Sequence, residues 1–339
     1  MLLILRSWPL FIYAITISIE SILIEPLTTI LDIPPIVISA VSITLAGILL
    51  LFTSTLLYRR NKTTNGISRT RLIFTKSKKN LLYASVSLAI GIFTWYDSIS
   101  RVGASKEVLL AGPLEIIIIV ILAYIFLREK LDKIQVIGIG VAIIGFFLAV
   151  ISDISYNNSD FFLSLTHYQI VTIGDIEAII SALGFAVGVL FLTKLVLIHS
   201  PLEVAGATLS VSGVILMGLL MVLVSVFQHK VFPFIEISML VSPTIIISLL
   251  VFARLTFVGA LSYSVGLSRL GTALTGTIGS SSIFLTLVLQ VALNESGVLD
   301  THLPNNILLA GLGSMIDFVG IFIIHMHDHT YRFWKRTSN

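Results

Sequence analysis

Long apolar runs, each about 20 residues long, alternate along the chain with short polar segments. A run of that length is what an α-helix needs to cross the hydrocarbon core of a bilayer. The runs are continuous and do not alternate in polarity, which argues against spanning β-strands. The pattern predicts an all-α integral membrane protein. Its ten transmembrane helices are predicted at residues 8–30, 35–58, 80–101, 104–127, 134–152, 174–197, 202–227, 241–268, 272–293 and 306–325.

A segment in the first half of the chain returns, altered, 168 residues later. The matching residues are Gly91 with Gly259, Ser100 with Ser268, Arg101 with Arg269 and Gly103 with Gly271. Further along, with about seven extra residues in the second copy, Gly138 matches Gly313 and Gly145 matches Gly320. An internal repeat of this length predicts two copies of one structural unit.

Each copy contains five predicted spans, which is an odd number. The second copy therefore enters the membrane upside down relative to the first, and we expect two inverted five-helix repeats, an architecture common among secondary transporters. The first repeat is predicted at residues 1–152 and the second at residues 174–325. A linker at 153–173 joins them, and residues 326–339 form a tail.

Charge is scarce and unevenly distributed. Only 12% of the residues are charged and the mean hydropathy is +1.03, far from the composition of a soluble domain. Basic residues concentrate in the loop at 59–79 and in the tail, so the positive-inside rule places both, and the N-terminus, in the cytoplasm. The same topology explains the pI near 9.1 without a nucleic-acid partner. We expect a multi-pass protein of the cytoplasmic membrane, with residues 153–173 outside.

Several short motifs accompany the repeat. The first copy contains the turn at residues 102–105, then Pro113, then Leu127-Arg128-Glu129-Lys130-Leu131, then Gln135-Val136-Ile137-Gly138. The second copy is similar around residues 259–279 and 311–320. With these motifs, the chain resembles the EamA-type module of the drug/metabolite transporter superfamily over nearly its whole length. The resemblance implies a ten-helix carrier of small solutes.

Four charged residues fall close to the middle of predicted spans: Glu20, Glu115, Arg254 and Asp317. A charged residue at that depth costs about 2.5–3.5 kcal/mol on insertion scales, so the presence of each one requires a functional or structural explanation. We interpret Glu20 and Glu115 as substrate-binding and proton-coupling candidates, since a carboxyl group can take up and release a proton. The alternative is a buried ion pair or hydrogen bond. Arg254 and Asp317 are interpreted as charge-neutralising residues.

Other polar and aromatic residues share helical faces with the acids. The stripe that contains Glu115 also contains Glu107, although we expect Lys106 and Glu107 to lie solvated at the membrane interface. Further substrate-binding candidates are Thr94, Trp95, Asp97, Tyr263, Ser282 and Gln290. Trp95 and Tyr263 occupy matching positions in the two copies. Their rings could stack on a flat or cationic solute, or could simply pack at the membrane interface. An ion pair between Asp97 and Arg101 and close helix packing around Ser282 are the alternatives for those residues.

These features favour a secondary carrier that moves a small polar or amphiphilic metabolite, such as an amino acid, by alternating access, with proton-coupled export as one mode. The alternative is an integral-membrane enzyme acting on a lipid or prenyl substrate, but the acids are scattered one per helix. The sequence offers no P-loop, no cysteine, no metal site and no cofactor site. The expected partners are the solute and the bilayer, with a homodimer left open.

Overall fold

Helices provide all the regular secondary structure in the described part of the chain. A computed structural model describes residues 2–60, 69–127, 133–152, 172–227, 242–279, 281–299 and 301–337. The helices are α1 (Leu2–Thr29), α2 (Pro35–Arg60), α3 (Arg69–Lys76), α4 (Lys78–Val102), α5 (Ala104–Leu127), α6 (Lys133–Ile151), α7 (Ile173–Val196), α8 (Pro201–Phe227), α9 (Pro243–Gly279), α10 (Ser281–Glu295) and α11 (Ile307–Thr337).

Five segments within these helices are long and apolar enough to cross a membrane. They are Ser7–Thr29, Pro35–Leu57, Ile173–Val196, Pro201–Val226 and Pro243–Thr272. Shorter apolar helical segments occur at Val136–Ala149, Ser281–Glu295 and Ile307–Gly320. Because a helix satisfies its own backbone hydrogen bonds, such segments can lie in lipid where loops cannot. The predicted all-helical class is confirmed for the described residues, and the apolar segments are consistent with a multi-pass membrane protein, whereas the count of ten spans stays a prediction.

Two repeat-related glycines break the helical path in the same way. Gly103 separates α4 from α5 with φ 84° and ψ 160°. Gly271 interrupts α9 with φ 80° and ψ 175°. Almost only glycine adopts this region of backbone space without strain. The predicted correspondence of the two positions therefore extends to their backbone conformation.

The two glycine turns lie at opposite ends of α7. At its first turn, Gly174 packs against Val102, next to Gly103. At its last turn, the Thr193 hydroxyl lies 2.9 Å from the Thr272 hydroxyl, next to Gly271. The 19 residues between these contacts span roughly 28 Å of helix. We call the two ends of the bundle the Gly103 end and the Gly271 end.

Helix packing repeats itself when the two halves of the sequence are exchanged. Gly91 of α4 packs against the backbone of Gly184 on α7, and Gly259 of α9 packs against Thr16 of α1. Gly259 follows Gly91 by 168 residues, and Gly184 follows Thr16 by the same number. The contact between Gly259 and Thr16 is therefore equivalent to the contact between Gly91 and Gly184, with the two halves of the chain exchanged.

The same exchange relates the contacts between α6 and α11. A methyl group on Gly145 would lie 2.7 Å from the carbonyl oxygen of Gly313, and one on Gly320 would lie 2.7 Å from that of Gly138. Such small residues let two helix backbones approach closely in lipid. The assignment of the chain to two five-helix repeats with the predicted boundaries stays a prediction.

The structure differs from the predicted elements in two places. The basic segment at 59–79 was expected to be a loop, but it contains the short helix α3, which packs against α4 and α8. The tail predicted at 326–339 is helical through Thr337, because α11 continues beyond its apolar part. The motif at 128–131 and most of the linker at 153–173 lie outside the described residues.

Candidate functional site

A cavity of about 200 Å³ lies between the two halves of the bundle. Its walls come from α1, α2, α4 and α5 on one side and from α7, α8, α9 and α10 on the other. One water molecule needs roughly 10–15 Å³ measured in the same way, so the space is large enough for a small solute.

Glu20 contributes a firmly held carboxylate to the cavity wall. The Tyr96 hydroxyl donates a hydrogen bond to Glu20 Oε1 over 2.5 Å, and the Thr256 hydroxyl donates to the same oxygen over 2.9 Å. Thr256 belongs to α9, in the second half of the chain. The carboxylate thereby connects α1 and α4 with a helix of the other half, and its position is fixed by both.

Glu115 also lines the cavity, but in a different state. It is mostly buried, although less so than Glu20, and it makes no hydrogen bond or ion pair with any described residue. Its repeat counterpart, Ile283, lines the same cavity. Corresponding positions of the two copies therefore face one space, with an acid on one side and an apolar side chain on the other.

Glu107 corrects the sequence interpretation. It was expected to be solvated at the membrane interface, yet its side chain is 1% exposed and lines the cavity. It lies two turns from Glu115 on α5 and contacts the side chain of Trp95, while its Oε1 has no hydrogen-bond partner among the described residues. The neighbouring Lys106 points elsewhere and pairs with Asp175 at 3.3 Å.

Aromatic rings form part of the cavity wall. Trp95 and Tyr263, the predicted repeat-related pair, both line it. Tyr13 packs against Tyr263 with ring centroids 4.8 Å apart, and Phe185 lies 6.0 Å from Trp95, centroid to centroid, in an edge-to-face arrangement. The rings give the cavity flat apolar surfaces beside the carboxylates.

Of the remaining binding candidates, the structure places only Ser282 in the cavity wall. Thr94 does not line the cavity, and its hydroxyl bonds back to the carbonyl of Ile90 at 2.9 Å. Asp97 does not line the cavity either and pairs with Arg101 at 3.0 Å, which is the alternative that the sequence had left open. Gln290 lies on the same helix as Ser282 but further toward the Gly103 end.

The proposed charge neutralisation is not formed among the described residues. Arg254 is exposed on the surface of α9 and makes no ion pair with Glu20, Glu115 or Asp317 there. Asp317 is buried against α6, and neither of its carboxylate oxygens has a hydrogen-bond partner in the part of the chain described. Neither residue belongs to the cavity wall: Arg254 lies on the exposed side of α9, and Asp317 lies on α11, which packs mainly against α6.

A polar network closes the bundle at the Gly103 end. It comprises Glu25, Ser105, Gln290 and His302. Glu25 Oε1 accepts hydrogen bonds from the backbone N–H of His302 at 2.8 Å and lies 2.5 Å from its Nδ1. Gln290 accepts a hydrogen bond from the Ser105 hydroxyl and donates to the His302 carbonyl at 3.1 Å. The cavity wall itself continues toward the other end as far as Leu192 and Gly276.

Sequence reasoning missed several residues of the site as binding residues. Tyr13 shares the stripe of Glu20, and Glu107 shares that of Glu115, so helical spacing alone could have found both. Thr256 and Phe185 carry no such signal, because only the packing of α9 and α7 against the first half brings them to the cavity. Among the described residues, no group of three or more His, Asp or Glu side chains could hold a metal ion.

The fold and the cavity define a multi-pass helical membrane protein with a central site shared by both halves. Residues 8–151 match the EamA-like transporter family, so the resemblance inferred from the sequence is confirmed for that segment, and a match to this family suggests a membrane transporter of the drug/metabolite transporter superfamily. A solved structure described only as "Crystal structure of protein" superposes with a TM-score of 0.61 at 12% identity. The superposition covers 96% of this chain and 98% of that one, so the fold is shared. No curated protein matches the chain.

Proposed function

We propose that the protein is a secondary active carrier that moves a small polar or amphiphilic solute across the cytoplasmic membrane by alternating access. The observation that carries the proposal is the cavity itself, which both halves of the chain line and in which Glu115 has no partner among the described residues. A buried polar group without a partner in lipid is costly, and a transport site is a common reason for its presence.

The arrangement of the ends supports alternating access. The network around Glu25 and Gln290 closes the Gly103 end, while the cavity wall extends toward the Gly271 end. In carriers built from inverted repeats, exchanging the conformations of the two halves opens the site to the other side. The opposite conformation would therefore open the Gly103 end, which the positive-inside rule assigns to the outside.

Ten helical segments are consistent with this proposal. They are α1, α2, α4–α8, the part of α9 before Gly271, the part after it together with α10, and α11. An even count places both termini on the same side of the membrane, and the positive-inside rule assigns that side to the cytoplasm. Export driven by a proton gradient is the mode that we propose, with Glu20 and Glu115 as the carboxyl groups that exchange protons.

The test is transport by the purified protein in proteoliposomes under an imposed pH gradient, with the variant Glu115→Gln. We expect the variant to lose about tenfold or more of the solute flux, or its response to the gradient, because the amide cannot exchange a proton. The matched control is Asp317→Asn, which alters a buried acid outside the cavity and should leave flux intact. Unchanged flux and unchanged pH dependence in Glu115→Gln would remove Glu115 from the site.

A further inference from the structure

The cavity wall is strongly asymmetric in charge. Three of its described residues, Glu20, Glu107 and Glu115, are acidic, and none of its described residues is lysine, arginine or histidine. The nearby cations are engaged elsewhere: Lys106 pairs with Asp175, and Arg101 pairs with Asp97. No described basic group therefore faces the acids across the cavity.

The three acids also differ in whether their carboxylate oxygens already have hydrogen-bond partners or remain available to a solute. Glu20 already accepts two hydrogen bonds through one oxygen. Glu115 has no described partner, and Glu107 keeps one buried oxygen unpaired. A buried carboxylate needs a compensating positive charge. A cation that enters the cavity would supply this charge to Glu107 and Glu115.

Aromatic rings in the cavity wall are also complementary to a cationic solute. Trp95, Tyr13 and Tyr263 line the same cavity as the acids, and most of the remaining wall is aliphatic. A cation is attracted to the face of an aromatic ring as well as to a carboxylate. The apolar wall favours a solute with a hydrocarbon or aromatic body, whereas a solute carboxylate would meet three acids and no base.

From this geometry we infer that the solute is an amphiphilic organic cation, an amine or quaternary ammonium group joined to an aromatic or aliphatic body. The inference rests on the proposed carrier function and narrows it. Glu115 holds the cationic group, Glu107 adds a second negative charge about 12 Å further along α5, and the rings of Trp95 and Tyr263 contact the body. Free amino acids and organic anions are poor substrates, because their carboxylate has no described partner in the cavity.

Three probes that share a phenyl ring but differ in charge test the inference. They are benzyltrimethylammonium (cation), phenylalanine (zwitterion) and phenylacetate (anion), each radiolabelled and offered to proteoliposomes that contain the full chain. We expect saturable, protein-dependent uptake of the cation only. We also expect Glu115→Gln to weaken binding of the cation at least about tenfold, since removing one partner of a buried charge pair is costly. Asp317→Asn should bind it as the wild type does.

A second measurement uses the unaltered protein, in case Glu115→Gln does not fold. Carbodiimide modification of Glu115, mapped by mass spectrometry, should be slowed by benzyltrimethylammonium and not by benzyl alcohol. Saturable uptake of phenylalanine or phenylacetate without uptake of the cation would overturn the inference and leave the carrier function standing. Cation binding that is equally strong in Glu115→Gln would also overturn it. A lack of protein-dependent flux for these probes and for a broad set of labelled metabolites would instead refute the carrier function itself.

Discussion

The buried acids show how much a single side chain depends on its neighbours. Glu20 and Glu115 both lie in apolar helices, but two hydroxyl donors hold Glu20, whereas Glu115 has no described partner. Hydrogen bonds to a carboxylate stabilise its charge and fix its rotamer. Glu20 is therefore held at one position in the cavity wall, whereas the carboxyl group of Glu115 is available to bind a solute.

At the residue scale, substitutions at the two glycine turns are predicted to lower the stability by different amounts. Gly103→Ala and Gly271→Ala should each cost about 1–3 kcal/mol, because alanine is strained in this backbone region. A methyl group at Gly103 would also lie 2.8 Å from His302 Cβ, whereas one at Gly271 meets no atom of the described residues within 4 Å. We therefore expect the larger fall in melting temperature for Gly103→Ala, measured by thermal unfolding in detergent. Equal falls would show that the contact with His302 contributes nothing.

At the scale of helices, α6 and α11 form a pair whose backbones touch through small residues. Gly145 contacts Gly313, and Gly320 contacts Gly138, so the close approach occurs at two heights along the interface. Such contacts replace the hydrophobic effect, which does not drive helices together inside lipid. This pair carries Asp317 and leaves the cavity to the other helices.

The packing of this pair can be tested with two valines on one helix. Gly145→Val should lower the melting temperature, since side-chain atoms there would overlap the backbone of α11 and overpacking typically costs about 1–3 kcal/mol. Gly140→Val is the control, because a side chain at Gly140 meets no described atom within 4 Å. If both variants were equally stable, the contact between the backbones of α6 and α11 would not be needed for stability.

At the scale of the whole molecule, the Gly103 end of the bundle is closed by a polar network. The Gly103 end is held by side-chain hydrogen bonds among Glu25, Ser105, Gln290 and His302, which connect α1, α5, α10 and the following loop. Hydrogen bonds of this kind can break and re-form with little change in packing. They are suited to a gate between two arrangements of rigid halves.

Locking that gate should stop transport. The chain has no native cysteine, so Ser105→Cys with Gln290→Cys introduces one defined pair. Oxidation should join α5 to α10 and abolish flux, and a reductant should restore it; each single-cysteine variant serves as the control. Full flux with the disulfide formed would show that the Gly103 end need not open.

The predicted sidedness is a second property of the whole molecule. Thr64→Cys, in the basic segment, should react with an impermeant maleimide only after the cells are permeabilised. Ser296→Cys, an exposed position at the Gly103 end, should react in intact cells. The reverse pattern would place the termini outside.

Local patterns predicted much of the fold. The apolar runs predicted the helices, and the predicted breaks near residues 103 and 271 agree with the two glycine turns. Where a helix had an obvious apolar length, its ends were found within a few residues. The continuation of α11 through Thr337 was missed, because a helix that leaves the membrane needs no apolar residues to persist.

The site was predicted less well, for a physical reason. Most of these helices are apolar on every side, so sequence alone does not show which face turns toward the centre. Asp97 and Gln290 were therefore assigned to the cavity although they bond near the Gly103 end. Glu107 was assigned to the interface although it is buried in the cavity wall.

The sequence by itself determined the helical class and the related positions of Gly103 and Gly271, because these depend on apolar length and on residue spacing along the chain. Only the tertiary structure showed which acids have hydrogen-bond partners and which can contact a solute in the cavity. The cavity is the space left between helices that are far apart in the chain, and its lining depends on how each helix is rotated against the others.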